Sequence, residues 1–288
     1  MTRWNTDALV STKWLHEHLN APDVRIVDAS YYLPAEGVDA RAEFDKQHIP
    51  GAVFFDIDEI ADADSDLPHM LPAPEKFSSK VRKLGLGDGS RIVVYDQRGI
   101  FSAPRAWWMF RVFGHRDVAV LDGGLPKWLA ENLPTEDGPP RKTEERHFTA
   151  RLDNTMVRER RHLLRNLERR REQVLDARGA GRFAGDDPEP RGDLRSGHIP
   201  GSLNLPFTDL VDPDSKTMKP PEELARIFEA RGVDPKTPVV TSCGSGVTAA
   251  VLTLGLHITG HRDLALYDGS WADWGRADAD TPVETGKG

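Results

Sequence analysis

The chain has 288 residues, of which 38% are hydrophobic and 29% charged, with a formal net charge of −8. That length accommodates two ordinary domains with cores of their own, and the acid excess argues against nucleic acid as the main partner. No run of 18 apolar residues exists, so no membrane-spanning helix is expected, and a single cysteine excludes an internal disulfide framework and suits a reducing compartment.

The first twenty residues, MTRWNTDALVSTKWLHEHLN, lack an apolar run after a basic start, so a secretory signal is not expected and the cytoplasm is the default location. His16 and His18 lie on different faces of a helical pattern and have no cysteine partners. No metal-ligand spacing occurs elsewhere, and no metal is expected. RIVDAS at 25–30 reads as a buried strand, followed by HIPGAVFFD at 48–56. GLGDG at 85–89 precedes a strand without the helix a phosphate cradle needs, and reads as a turn. RIVVYD and VAVLD read as further strands on either side of SAPRAWWMFRVFG, an apolar-striped helix closed by Gly114.

The chain then repeats itself. QVLDAR at 173–178 answers RIVDAS, HIPGSLNLPF at 198–207 answers HIPGAVFFD, TPVVTSC at 237–243 answers SRIVVYD at 90–96, and HRDLALYDGSWADW at 261–274 answers HRDVAVLDGGLPKW at 115–128. Four blocks in one order, at offsets of about 146 to 150, mean two similar units. Strand–helix alternation in each makes them α/β domains with parallel sheets flanked by helices. The boundaries are placed at 8–135 for the first domain, 136–165 for a linker carrying PTEDGPPRKTEE, and 166–280 for the second domain. Across the linker's end, RERRHLLRNLERRR at 158–171 is heavily basic. It reads as a solvated helix face with Leu163, Leu164 and Leu167 turned inward, the alternative being a surface for RNA or another anionic partner.

The lone cysteine stands in VVTSCGSGVTAAV. PVVTSC reads as a strand ending at Cys243 and VTAAVLTLGLHITG as a helix running to Gly260. Gly244 and Gly246 let the short loop bend and point main-chain amides inward. A thiol at a strand's carboxyl end and a helix N-terminus sits where open α/β sheets bind ligands, and the same donors favour a thiolate nucleophile and would hold a persulfide anion. A small buried hydrophobe is the bland alternative. In the first unit the equivalent residue is Asp96, which cannot carry sulfur, so thiol chemistry belongs to the second unit alone. Without a second cysteine, a covalent intermediate is resolved by a substrate or another protein.

These tandem blocks and the CGSGVTA loop resemble the two-domain rhodanese sulfurtransferases, nearest the 3-mercaptopyruvate branch. The likeness runs over about residues 8 to 280 and is specific at GRFAGDDPEPR, SAPRAWWMFRVFGH and YDGSWADW. The resemblance implies Cys243 as nucleophile, Arg182 and Arg191 on the substrate, and a loop of Gly244, Ser245, Gly246, Val247 and Thr248 around it. It also implies a proton relay of Asp58, His69 and Ser245. Arg178 is read as either structural or functional, and Arg195 as a surface salt bridge. The thiosulfate-preferring branch carries basic residues in the loop where this chain has Gly244 and Ser245, which favours mercaptopyruvate, with its single, remote carboxylate charge. The same fold acting on thiosulfate stays open, as does a non-catalytic sulfur-carrier or docking role. A thiol phosphatase is disfavoured because residues 244 to 249 include no arginine. The expected partners are a small sulfur donor and a thiol or cyanide acceptor, thioredoxin or glutathione among the thiols. No nucleic acid, no membrane and no cofactor beyond a cysteine persulfide are expected, and the chain is expected to be a monomer.

Overall fold

The computed structural model describes residues 6–286. Ten strands form two five-stranded sheets. The first contains β1 (Leu9–Val10), β2 (Val24–Asp28), β3 (Val53–Phe54), β4 (Arg91–Tyr95) and β5 (Val118–Leu121), in the order β1-β5-β4-β2-β3. The second contains β6 (Val157–Arg158), β7 (Gln173–Asp176), β8 (Leu203–Asn204), β9 (Val239–Ser242) and β10 (Leu264–Tyr267), in the order β6-β10-β9-β7-β8. Every pairing is parallel. The three inner strands of each sheet are those whose Val/Ile/Leu runs are legible in the sequence. The outer strands are two residues long, too short to carry a pattern.

β4 and β9 occupy the middle of their sheets, and the chain reverses direction across the sheet beside each. The loops after β7 and β9 therefore diverge and leave a crevice at the carboxyl ends of the strands. Two equivalent helices, Ala103–Val112 after β4 and Ala249–Ile258 after β9, pack against one another between the sheets. Both are buried nearly all round, which is how a helix shared by two domains must read. One continuous apolar core runs from Val27, Val94 and Phe110 of the first unit through Val251 and Leu254 to Leu175 and Leu266 of the second.

The HIPG repeats have a structural role. His48 stacks on Phe44 and His198 on Phe183, ring centroids 3.9 and 3.8 Å apart, and each histidine bridges the end of its own unit, at Glu136 and Glu284. Glu284 carries the second unit beyond residue 280.

The segment 136–165 is only partly a linker. Residues 141–147 are exposed, but Phe148 is buried against Phe77 and Phe110, and Arg151 and Asp153 bond the main chain of Phe113 and Val112. From Val157 onward the chain belongs to the second sheet, because β6 pairs with β10, and the basic stretch forms the helix Arg160–Arg169 with Leu163 buried. A two-residue strand and a lone phenylalanine give no periodic signal, which is why composition marked the whole stretch as connector.

Truncating Phe148 to alanine removes an aromatic ring from the core of the first unit, so chemical denaturation should show a loss of about 3–5 kcal/mol; a surface tether would lose almost nothing. A second prediction concerns Asp122, which accepts from the Met218 amide across the domain boundary at 2.8 Å. Burial raises its carboxyl to about 6. A raised value means that its contribution to stability is present in full below about pH 4 and is lost as pH climbs through about 6. Asp122→Asn should therefore raise Tm at pH 8 and leave it nearly unchanged at pH 4; the opposite ordering would contradict this.

Candidate active site

Cys243 follows the last residue of β9 and is buried, with a free thiol. The Gly246 amide donates to Sγ at 3.2 Å. Ser270 anchors the same turn: its hydroxyl accepts from the Cys243 amide at 3.2 Å and donates to the Tyr267 carbonyl at 2.8 Å. Ser270 holds a φ of +50°, in the left-handed region that non-glycine residues seldom occupy, and its two hydrogen bonds accompany that strain. The first unit shows what such a turn does for an anion. One carboxylate oxygen of Asp96 accepts the amides of Phe101, Ser102 and Ala103 at 2.8, 2.9 and 2.8 Å. The repeat thus holds a negative group at the carboxyl end of the middle strand through main-chain donors.

Above the thiol lies a cavity of about 200 Å³ between the loops after β7 and β9. The second unit supplies Arg182 and Arg191, together with Gly244, Ser245, Val247 and Thr248. The first supplies Tyr31, Leu33 and Phe101. Arg182 sits over the loop, where a Cβ on Gly244 would stand 3.2 Å from its Nη2. The same nitrogen is held by Glu189, which also pairs with Arg178. Tyr31 has its phenol pushed up to about 12, burial being the main cause, so it stays a neutral group beside Arg191.

Not every residue singled out from the sequence reaches this cavity with a free functional group. Arg178 lines it but is saturated by Asp176, Glu189 and the Gly197 carbonyl, with its guanidinium 4.4 Å from the Trp271 ring centroid; its role is structural. Among the described residues Arg195 makes no carboxylate salt bridge; it bonds the carbonyls of Trp274 and Thr281. Gly246 lies beneath the thiol rather than on the wall, at a φ of +80°, with the Arg105 guanidinium and the Asp268 carbonyl against it.

His69 and Asp58 come together with the loop, in an arrangement that differs from a relay through the Ser245 hydroxyl. His69 Nε2 lies 3.0 Å from Asp58 Oδ1, and Nδ1 lies 3.2 Å from the main-chain carbonyl of Ser245. A carbonyl only accepts, so the Nδ1 contact calls for a hydrogen on Nδ1, while Nε2 faces the Asp58 carboxylate. The hydrogen bond from His69 holds the Asp58 carboxyl below the usual carboxylate range. His69 is buried at a φ of +61°, with the Tyr31 ring edge-on at 4.8 Å.

Two residues that sequence reasoning passed over hold this geometry. Arg105 of the first unit is fully buried and donates to the carbonyls of His69 and Gly246. Its Nη1 lies 2.7 Å from Asp268 Oδ1, a charge contact between the two units, and Asp268 Oδ2 accepts the Leu71 amide at 2.7 Å. Their only sequence signal was membership of the SAPRAWW and YDGSWADW blocks. Among the described residues, no group of three or more His, Cys, Asp or Glu is placed to hold a metal, and no helix is long and apolar enough to cross a membrane.

This fold and site define a class: paired parallel α/β domains in which a buried cysteine follows the middle strand of the second domain only. The rhodanese-like domain model matches residues 11–131 and 159–277. The chain is 46% identical over 288 residues to 3-mercaptopyruvate sulfurtransferase of Homo sapiens, covering 98% of this chain and 96% of that protein. It is 45% identical over 289 residues to thiosulfate sulfurtransferase of Bos taurus, at the same two coverages. The crystal structure of SseA from Escherichia coli, described as a 3-mercaptopyruvate sulfotransferase, superposes with a TM-score of 0.84 at 42% identity over 92% of this chain and 98% of that one. The chain belongs to the rhodanese family.

Removing one member of a fully buried ion pair strands the other charge. Arg105→Leu or Asp268→Leu alone should each cost about 3–5 kcal/mol in stability, and the double replacement should cost clearly less than their sum. Additive losses in a double-mutant denaturation cycle would show that the two side chains are not coupled.

Proposed function

We propose that the protein is a sulfurtransferase that takes sulfur from 3-mercaptopyruvate onto Cys243 and passes it to a thiol or to cyanide. The observation that carries this reading is a buried thiol beneath a cavity walled by Arg182 and Arg191, in a loop whose own residues are uncharged. Overall identity does not choose the donor, since it is 46% to the mercaptopyruvate enzyme and 45% to the thiosulfate enzyme. The loop does: a dianionic thiosulfate gains from a cation beside the sulfur, and Gly244 and Ser245 provide none.

In this reading, Arg182 and Arg191 clamp the planar carboxylate and adjacent carbonyl of the donor. The Cys243 thiolate attacks the donor sulfur. A sulfur–sulfur bond forms, the carbon–sulfur bond breaks, and its electron pair leaves as the enolate of pyruvate. The hydrogen of the donor thiol balances the proton that the enolate carbon takes up to become pyruvate. His69, set between the Asp58 carboxylate and the loop, is placed to mediate this exchange. A persulfide anion remains, facing the Gly246 amide. An acceptor thiolate, such as that of thioredoxin, or cyanide takes the terminal sulfur and restores the Cys243 thiolate. A monomer in a reducing compartment suffices for this cycle. The two arginines favour a second donor as well, because a pair of guanidiniums also suits dianionic thiosulfate, which needs no proton.

Initial rates with each donor, cyanide being the common acceptor, test this. Wild type should prefer 3-mercaptopyruvate, Cys243→Ser should lose both reactions, and Ser245→Lys should shift the ratio toward thiosulfate by about tenfold, the worth of one charge-assisted contact. A wild-type preference for thiosulfate would sink the mercaptopyruvate assignment and leave the thiosulfate reaction in its place.

A further inference from the structure

The basic stretch 158–171 takes no part in the cavity above Cys243. It borders a trough at the opposite end of the sheets. Glu172 and Pro238 immediately precede β7 and β9, Leu264 begins β10, and all three line it, whereas the thiol lies at the strands' carboxyl ends. The trough consists of two adjoining hollows of about 490 and 400 Å³ that share Arg158, Glu172 and Pro238. The larger lies between the two units. Its walls carry Arg111 and Arg116 from the first unit and Arg262 from the second, with Trp107, His257 and His261. The smaller is lined by His162, Arg165, Arg169 and Arg171.

Positive charge is in excess in this trough, although Asp7 opposes it at Arg111 and His257. Seven arginines and no lysine line it, against three carboxylates: Asp153, Glu172 and Asp263. Only Arg158 is paired, with Glu172 at 2.6 Å; among the described residues no carboxylate lies within 4 Å of the other six guanidiniums. Asp153 is occupied by the amide and hydroxyl of Thr155. The cations act on one another. Burial and then Arg116 lower Arg111, and burial and then Arg111 bring His257 down to about 4. The carboxyl-terminal ends of the helices Ala103–Val112 and Ala249–Ile258 favour cations here and account for Arg111 and His257. They do not account for Arg165, Arg169 and Arg171, which lie exposed on and just beyond a different helix. One buried donor at the trough, the indole Nε1 of Trp107, has no acceptor among the described residues.

We propose that this trough is a binding site for a short chain of phosphate groups, recognised through the phosphates alone. Guanidinium forks match phosphate oxygens bidentately, and a trough lined by arginine without lysine is suited to that geometry. Among the described residues the one indole or phenyl ring at the trough, Trp107, is 1% exposed and lies beneath Arg111, so none of them offers such a face for a nucleobase to stack on. The net charge of −8 opposes a long polyanion that would run past the trough over the rest of the surface. The phosphates could come from free polyphosphates or nucleotides, or from the backbone of a short RNA.

Isothermal titration of the full chain with inorganic tripolyphosphate, ATP, a mixed-sequence RNA octamer and a hexaglutamate peptide tests the proposal. Two variants are compared, R165E/R169E/R171E in the smaller hollow and R116E/R262E in the larger. All five positions are exposed and remote from Cys243, so sulfur transfer to cyanide should be unchanged in both. Tripolyphosphate should bind, more weakly as salt rises, and each variant should weaken it by about tenfold or more. ATP matching tripolyphosphate supports recognition of free phosphate chains. An octamer that displaces tripolyphosphate and is lost in both variants assigns the phosphates to RNA. The proposal is overturned if tripolyphosphate fails to bind at low salt, if hexaglutamate binds as well, if ATP binds where tripolyphosphate does not, or if the variants bind like wild type.

Discussion

The pair of Arg105 and Asp268 sets the rest of the molecule in place. Each comes from a different unit, each is almost wholly removed from water, and the two lie 2.7 Å apart. Burying two charges is costly, and their attraction offsets that cost only when the geometry is tight and the remaining polar atoms are bonded. Here most of them are: the guanidinium also holds the His69 and Gly246 carbonyls and Oδ2 of the carboxylate holds the Leu71 amide, while Arg105 Nε and Asp268 Oδ1 have no hydrogen-bond partner among the described residues. Rotating or separating the units would strand both charges, so the pair fixes one docking geometry. That geometry brings the first unit's His69 against the second unit's Ser245 and Tyr31 to the wall of the cavity above Cys243.

Duplication explains both the symmetry and its breakdown. The two central helices are the same element of the repeat, and packing them together merges two cores into one. The turns after β4 and β9 are also the same element, but Asp96 fills its own ring of amides and closes the first site, whereas Cys243 leaves space above it. The partner turns diverge in step. Gly124 at a φ of +52° lies against the main chain of Asp96 and Gly99, where no side chain fits; the equivalent Ser270 keeps nearly the same φ and uses its hydroxyl to hold Cys243. One copy has become a support and the other has kept the reactive group.

Much of the fold was legible because buried strands and helix stripes repeat with regular periods, and the chain states its pattern twice. The two-residue edge strands, the anchoring of Phe148 and the start of the second unit at Val157 were not legible, since none carries enough residues for a period. Within the site, Cys243 was legible as local chemistry in a distinctive loop and Arg182 and Arg191 through the family resemblance, and the structure brings all three to one cavity. Glu189 was hidden between two prolines, and Ser270 behind the likeness of DGS to DGG. Arg105 looked like one more polar residue on an apolar helix.

The sequence by itself determined the duplicated parallel α/β architecture, the confinement of thiol chemistry to the second unit, and the uncharged loop around that thiol, because each is a property of contiguous residues. Only the tertiary structure decided that Arg178 is spent on Asp176 and Glu189, that His69 meets the Ser245 carbonyl instead of its hydroxyl, and that Arg105 and Asp268 join the units beneath the loop. Apart from Arg178 and Asp176, two positions apart, those are contacts between residues 11 to 176 positions apart. No local spacing encodes which buried charge will find which partner; the packing of the two units selects it.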